Sequence, residues 1–412
     1  MYISNQNFQE NIGTAGEKLI AEFFDSKFSR FYSFPNPKTK ANQEVADVLV
    51  WLNRIVFLIE VKTRSNGSSS IESWIKGKIK EAVEQLCTNH QRIKNNEVIN
   101  LHNEFYQAQL DCQGTYSVVG IIVLVYDEVC NIHPSTLVRD IYEKDFPIHV
   151  FSWNDLQRMV SEIDTVPDFK YYLNDRINYV KNFSDISLDN ELNALGYYKS
   201  KSNNFPKVPV DFSKENFWED YYATMLKHIN KRNEHNKQSW LLDKIENIFT
   251  DARKLFNEIP LGLYFVWEIG SLSRRERAYY SEKLHSVREW FENGNTQRYF
   301  AMKNMSTENW LVFYFSKSAK QEFELERLVE LKMVKEIMEN EFNQGVYGFG
   351  FQVSTTFPPR LLNLANAIVI SAEVVKDKCN QLNLEEAKKY FGGKESYTTM
   401  EIKEFPEDYL LH

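Results

Sequence analysis

The sequence predicts a two-domain protein, an α/β domain over residues 1–181 and an α+β domain over residues 215–412. Three observations carry that expectation. Helical and strand-like hydrophobic periods interleave through the first 180 residues instead of segregating, the pattern of a mixed sheet flanked by helices. A polar stretch from Asn182 to Lys214, marked by Pro206 and Pro209, then interrupts the pattern and reads as a linker. At 412 residues, the chain is also too long for one ordinary hydrophobic core.

The elements follow in order. From Thr14 to Phe28, apolar residues at Leu19, Ile20, Phe23 and Phe24 have the three-and-four spacing of a helix with one buried face. After the Pro35-Asn36-Pro37 break, Val45–Leu52 and Arg54–Val61 read as two strands joined at Asn53 in a hairpin. The Ser/Gly/Asn stretch from Ser65 to Ser70 is a loop. It leads into a helix over Ile71–Lys94 with Ile75, Ile79, Val83 and Leu86 on one stripe. Tyr116–Tyr126 is a buried strand by its β-branched content, Ile148–Ser152 a shorter one, and Trp153–Tyr179 carries a helical pattern. The second half starts with a helical pattern over Phe217–Glu258, broken near Asn230–Lys237. A strand (Leu261–Glu268), a helix (Leu272–Glu292) and two strands (Gln297–Lys303, Asn309–Lys317) follow. A helix (Ala319–Phe342) and strands at Val346–Thr355 and Ala367–Glu373 complete it. The order β-α-β-β-α-β is that of a ferredoxin-like split unit with one extra strand.

Composition excludes several classes. Hydrophobic residues make up 43% and charged residues 26%, with only 15 Gly and 11 Pro, so disordered and collagen-like chains are out. The longest apolar run, Val118–Tyr126, is far short of the ~20 residues of a membrane-spanning helix. Residues Met1 to Gln6 carry neither a basic nor an apolar leader region, and Cys87, Cys112, Cys130 and Cys379 form no C-x-x-C pair. Both features lead us to expect a cytoplasmic protein without disulfides. The net charge of −8 argues against a protein that coats nucleic acid over its whole surface, but basic residues outnumber acidic ones in the first hundred residues, which leaves room for a local basic groove.

The residues that carry chemistry lie at the hairpin. Side chains alternate between the faces of a strand, so in Leu58-Ile59-Glu60-Val61-Lys62 the carboxylate of Glu60 and the ammonium of Lys62 share one face. Asp47 stands among β-branched neighbours near the start of the preceding strand. Ionised groups in such surroundings are costly unless paired or bound to a metal. Two carboxylates with nearby carbonyl oxygens form a site for a hard cation such as magnesium, and an adjacent lysine can orient or help deprotonate water. Glu17 adds a third acid. It precedes Ile20 by three residues and Phe24 by seven, which places it on the inward stripe of the first helix.

Glu17 on a helix, Asp47 on a strand and Glu60-Val61-Lys62 on the next strand resemble the PD-(D/E)xK nuclease superfamily, whose domains have the restriction-endonuclease-like fold. The resemblance covers about residues 10–180. It implies that Asp47, Glu60, the Val61 carbonyl and Glu17 hold Mg2+ or Mn2+, and that Lys62 assists the attacking water. Many members carry a glutamine on the following helix, and Gln85 stands there. Where the family motif has proline, this chain has Ala46, which removes no catalytic group. A chance match would leave Glu60 and Lys62 as a same-face ion pair, and Gln85 as a packing amide, contributing under about 1 kcal/mol.

Lys62, Arg64, Lys76, Lys78 and Lys80 have only Glu72 among them as an acid, and Lys38 and Lys40 precede the first catalytic strand. These residues are candidates to neutralise nucleic-acid phosphates; the plainer reading is a solvated helix face. Arg274, Arg275 and Arg277 fall in the first turn of a helix, where the dipole disfavours cations, so either an external anion or Glu276 compensates. The resemblance implies a metal-dependent endonuclease cutting DNA, with RNA as the other candidate substrate, similar to bacterial restriction and anti-phage effectors. Residues 215–412 would serve recognition, regulation or contact with a second copy or a partner protein. The rivals are a catalytically inactive scaffold for nucleic acid or a partner, and a nuclease subunit of a larger repair or restriction complex.

Overall fold

The computed structural model describes residues 5–29, 31–65, 70–103, 107–110, 116–127, 146–183, 188, 190–230, 242, 266–294, 297–304, 307–316, 329, 333, 346–353 and 364–371. The chain divides into two compact units, the first made of Met1–Arg232 with Lys403–His412 and the second of Asn233–Ile402. Among the described residues, no helix is long and apolar enough to cross a membrane.

The first unit is mixed α/β. Helix α1 (Asn5–Phe24) runs into one π-helical turn, Asp25–Ser29, and is followed by short strands β1 (Ser33–Pro35) and β2 (Lys38–Thr39). The expected hairpin is formed by β3 (Val48–Leu52) and β4 (Ile55–Thr63), paired antiparallel with Val48 opposite Ile59. Asn53 makes the turn at φ 52°, a left-handed conformation that asparagine tolerates. Helix α2 (Ile71–Lys94) starts at Ser70, whose hydroxyl accepts from the Ser73 amide at 3.2 Å, and it buries the stripe Ile75, Ile79, Val83 and Leu86. Strands β5 (Ile99–His102), β6 (Gln107–Leu110), β7 (Ser117–Val125) and β8 (Ile148–Ser152) follow, then helices α3 (Trp153–Glu162) and α4 (Val166–Asn182).

The main sheet has the order β1-β3-β4-β7-β8, with β4, β7 and β8 parallel to one another. Strands β2, β5 and β6 make a separate antiparallel sheet that the sequence reading did not contain. Strand β4 is buried from Val56 to Val61, as both its faces are covered. Its odd-numbered side chains meet the π-helical turn and α4, where Phe57 packs on Phe28 and Phe169, and its even-numbered ones meet α2, where Lys62 reaches Gln85. The helical pattern from Trp153 to Tyr179 is two helices, because Thr165 caps a new one by accepting from the Asp168 amide and Pro167 fits its first turn.

Residues 182–214, expected as a linker, form part of this unit. They contain α5 (Glu191–Ser200), and α6 (Phe217–Lys227) crosses it where Gly196 abuts the Phe217 backbone. A buried ion pair fixes α5: Arg176 on α4 meets both carboxylate oxygens of Glu191, with Nη2 to Oε2 at 2.8 Å and Nε to Oε1 at 2.9 Å. The Tyr172 hydroxyl donates to Glu191 at 2.7 Å, and Arg176 lies over the Phe151 ring and contacts Nδ1 of His149 at 3.1 Å. Burial, with the Arg176 charge added, holds the His149 imidazole well below its usual range, so it is neutral and accepts through Nδ1.

In the second unit, the described elements are α7 (Arg274–Glu292) and strands β9 (Gln297–Lys303), β10 (Trp310–Ser316), β11 (Val346–Val353) and β12 (Leu364–Ser371). The sheet order is β12-β11-β10-β9, with only β10 and β11 parallel. The ferredoxin-like expectation is corrected on two counts: the strands lie in sequential order, and Val266–Gly270 is helical where a strand ending at Glu268 was expected. Residues 261–265 of that strand lie outside the described residues, as does the helix at 319–342 apart from Val329 and Met333. Those two helical residues pack so tightly over Gly348 that a side chain there would collide with both.

The arginine-rich turn at the start of α7 is explained locally. Ser273 and Glu276 form a capping box, with the Ser273 amide donating to Glu276 Oε2 at 2.9 Å and the Glu276 amide to Ser273 Oγ at 3.3 Å. Arg277 is buried and donates to the Leu272 and Gly270 carbonyls. Nearby, the buried Glu268 carboxylate accepts from Asn304, Thr307 and Asn309 at 2.7–2.9 Å, which fastens the helical turn to the β9–β10 connection.

Candidate functional site

The site grows out of the point where β3 stops. The Asp47 amide still donates to the Ile59 carbonyl at 3.1 Å, continuing the ladder for one residue. The next β4 amide, Val61, is then taken by the Asp47 side chain, whose Oδ2 accepts at 2.6 Å. One carboxylate oxygen is thus fixed by the strand it terminates. Its carbonyl accepts from Asn36 at 2.9 Å, so the backbone is held from both sides.

Glu60 lies under α2 and is only 4% exposed. Lys62, two residues on, reaches back to Glu60 Oε2 at 3.1 Å and across to Gln85 Oε1 at 2.8 Å, with Glu81 at 3.9 Å. Asp47, Glu60 and Gln85 open into one cleft of about 410 Å3, whose walls also include Glu44, Glu81, Glu84, Asn89 and Arg92. Glu17 is not in the lining, but it stands within electrostatic reach of Glu44 and Lys62. Gly16 explains how α1 comes so near: a Cβ at this position would overlap the Thr63 hydroxyl at the end of β4.

The electrostatics show an excess of buried negative charge. Burial, and then the neighbouring Glu60 carboxylate, push Asp47 up to about 8, although the Val61 amide and Lys62 pull the other way. Burial also raises Glu60 against the pull of Lys62, and burial with Glu44 raises Glu17. For Lys62 burial favours the neutral amine, but Glu60 and Asp47 outweigh it and hold the ammonium above its usual range. One lysine therefore balances several carboxylates incompletely. Such a donor set suits a hard divalent cation, which binds through one or two carboxylates and keeps several waters. No three His, Cys, Asp or Glu side chains are gathered as a cation cage among the described residues, so the fit rests on the Asp47 and Glu60 pair.

The expected basic residues do not form one cluster. Lys78 pairs with Glu81 at 2.7 Å on the cleft side, whereas Lys76 pairs with Glu72 at 2.7 Å in solvent. Arg64 lies over the Trp74 ring, Lys80 is exposed on α2, and Lys38 and Lys40 are exposed beside β2. Sequence reasoning missed Glu44 and Arg92. The spacing of Glu81, Gln85, Asn89 and Arg92 along one face of α2 was the available signal. Comparison with family models, curated proteins and solved structures finds no match to the chain.

Proposed function

We propose that the first unit is a metal-dependent phosphodiesterase of the PD-(D/E)xK kind, with the restriction-endonuclease-like fold, and that it cleaves nucleic acid, DNA foremost. The observation that carries this reading is the convergence of Asp47, Glu60 and Gln85 at one cleft, with Lys62 bonded to Glu60 and Gln85, on the strand-strand-helix order the motif requires. Asp47, Glu60 and the Val61 carbonyl would hold Mg2+ or Mn2+, with Glu17 nearby. A cation there would polarise a phosphoryl oxygen and make water a better nucleophile at neutral pH.

The chain's own residues supply the rest. The Val61 amide keeps Asp47 aimed into the cleft, so its free oxygen needs no rearrangement to bind. Lys62 is charged, and Glu60 and Gln85 fix its ammonium, so it acts as a donor that orients the attacking water and steadies developing phosphoryl charge. The second unit is left for recognition, regulation or partner contact, the arrangement of a restriction or anti-phage defence effector.

The test is cleavage of supercoiled DNA, linear DNA and RNA in magnesium and in manganese. Lys62→Ala should reduce the rate by a hundredfold or more, on the scale of losing one electrostatic donor, and Asp47→Ala should abolish cleavage. Circular dichroism should show both variants folded. A Lys62→Ala variant that cuts at the wild-type rate would falsify the assignment.

A further inference from the structure

The cleft wall also includes Arg92, in the last turn of α2. Three neutral acceptors fix its guanidinium: Asn89 Oδ1 at 3.0 Å and the Glu44 carbonyl at 3.2 Å on Nη1, and Gln43 Oε1 at 2.8 Å on Nη2. Among the described residues it has no carboxylate partner, although Glu44, Glu81 and Glu84 line the same cleft. An arginine oriented by neutral groups, with no carboxylate bonded to it among the described residues, is pre-organised for an anion from outside.

The loop that Arg92 grips is itself tightly built. The Thr39 amide donates to Gln43 O at 2.8 Å, Asn42 to Thr39 O at 2.9 Å and Val45 to Pro37 O at 2.9 Å. Asn42 sits at φ 61°. This loop carries Lys38 and Lys40, both exposed and without an acidic partner among the described residues. From Gln85, which Lys62 bonds, to Arg92 is seven residues of helix, or about 10 Å. Arg92 thus leaves the helix about two turns along the cleft from the residue that holds Lys62.

We infer that Arg92, with the Lys38–Lys40 loop it clips to α2, grips a second phosphate of the substrate strand, away from the phosphate being cut. Arg92 is then a substrate-positioning residue and sets how the strand lies across the cleft. The inference rests on the nucleic-acid-cleaving reading of the same site.

The experiment measures binding of fluorescent single-stranded and double-stranded DNA oligonucleotides to the full chain by anisotropy over a salt series, in the Lys62→Ala background to prevent cutting. Cleavage kinetics are followed with Lys62 intact. Arg92→Gln keeps a hydrogen-bonding side chain but removes the charge. It should weaken binding about tenfold, lower the salt slope by about one ion, and raise KM with kcat little changed. Arg92→Lys should restore the salt slope and only part of the affinity, since it keeps the charge and loses the fork. Arg92→Gln with unchanged KM and salt slope, in a protein whose cleavage still depends on Lys62, overturns this inference and leaves the nuclease reading standing. Absence of both binding and Lys62-dependent cleavage in the parent chain overturns the reading itself, and this inference with it.

Discussion

Burial and the neighbouring Glu60 push the Asp47 carboxyl up to about 8, so the site should respond to pH and to a bound cation. The native state retains a proton that the unfolded chain loses near pH 4, so the stabilisation is complete in acid and is lost as pH rises through about 8. Glu60 and Glu17, also raised, act in the same direction. Asp47→Asn cannot ionise and can still accept from the Val61 amide. Thermal unfolding in EDTA should therefore show the variant gaining on wild type as pH rises from 5 to 8, ending more stable by ~1 kcal/mol or more. Excess magnesium at pH 8 should close much of that gap by stabilising wild type more than the variant. Equal pH profiles for the two proteins would show that Asp47 is not strained by its neighbours.

At the scale of elements, the contact of α1 with β4 is the most exposed to test. Gly16→Ala must push the helix off Thr63, an overpacking expected to cost about 1–3 kcal/mol and to draw Glu17 away from the cleft. The Thr63 hydroxyl is buried with no hydrogen-bond partner among the described residues, so Thr63→Ala should be nearly harmless and should relieve part of the Gly16→Ala defect. A double-mutant cycle by urea denaturation would measure the coupling, and strict additivity would contradict the proposed clash. Elements like these were legible to different degrees. The β3–β4 hairpin and α2 could be read from the sequence because their apolar periods are strong and their turn and cap residues, Asn53 and Ser70, are local signals. Asp47, Glu60, Lys62 and Gln85 came with them. Strands β2, β5 and β6 span only two to four residues, too short for alternation to stand out even in Ile99-Asn100-Leu101-His102, and α5 has little apolar contrast around its surface. Arg92 and Glu44 meet only because a folded loop returns to the end of α2, a closure that no spacing in one segment records.

For the whole molecule, the pairing of Arg176 with Glu191 decides where the first unit can be cut. Both side chains are essentially inaccessible, and each carries the other's charge. Glu191→Ala should destabilise the unit by about 3–5 kcal/mol, because it takes the bidentate carboxylate away from a buried cation, as guanidinium denaturation would show. A chain ending near Tyr179 would carry the same defect and also lose the packing of Tyr179 and Val180 against Leu188, Ala194 and Phe212. A chain ending at Arg232 keeps these partners and should unfold cooperatively by calorimetry. The shorter form should be aggregated or molten. The longer one is therefore the form on which to ask whether residues 233–412 control cleavage: the same rate and substrate range as the full chain would show that they do not.

The same ion pair orders events during synthesis. All five strands of the main sheet have been synthesised once Ser152 is made, and the last residue of the Asp47–Gln85 constellation well before that. Yet the Glu191 carboxylate that Arg176 meets in the folded chain is present only once Glu191 has been translated and has cleared the exit tunnel. A nascent chain paused between these two positions would hold every residue of the cleft and still lack a settled core. The cleft is thus settled only after translation has passed well beyond the residues that line it.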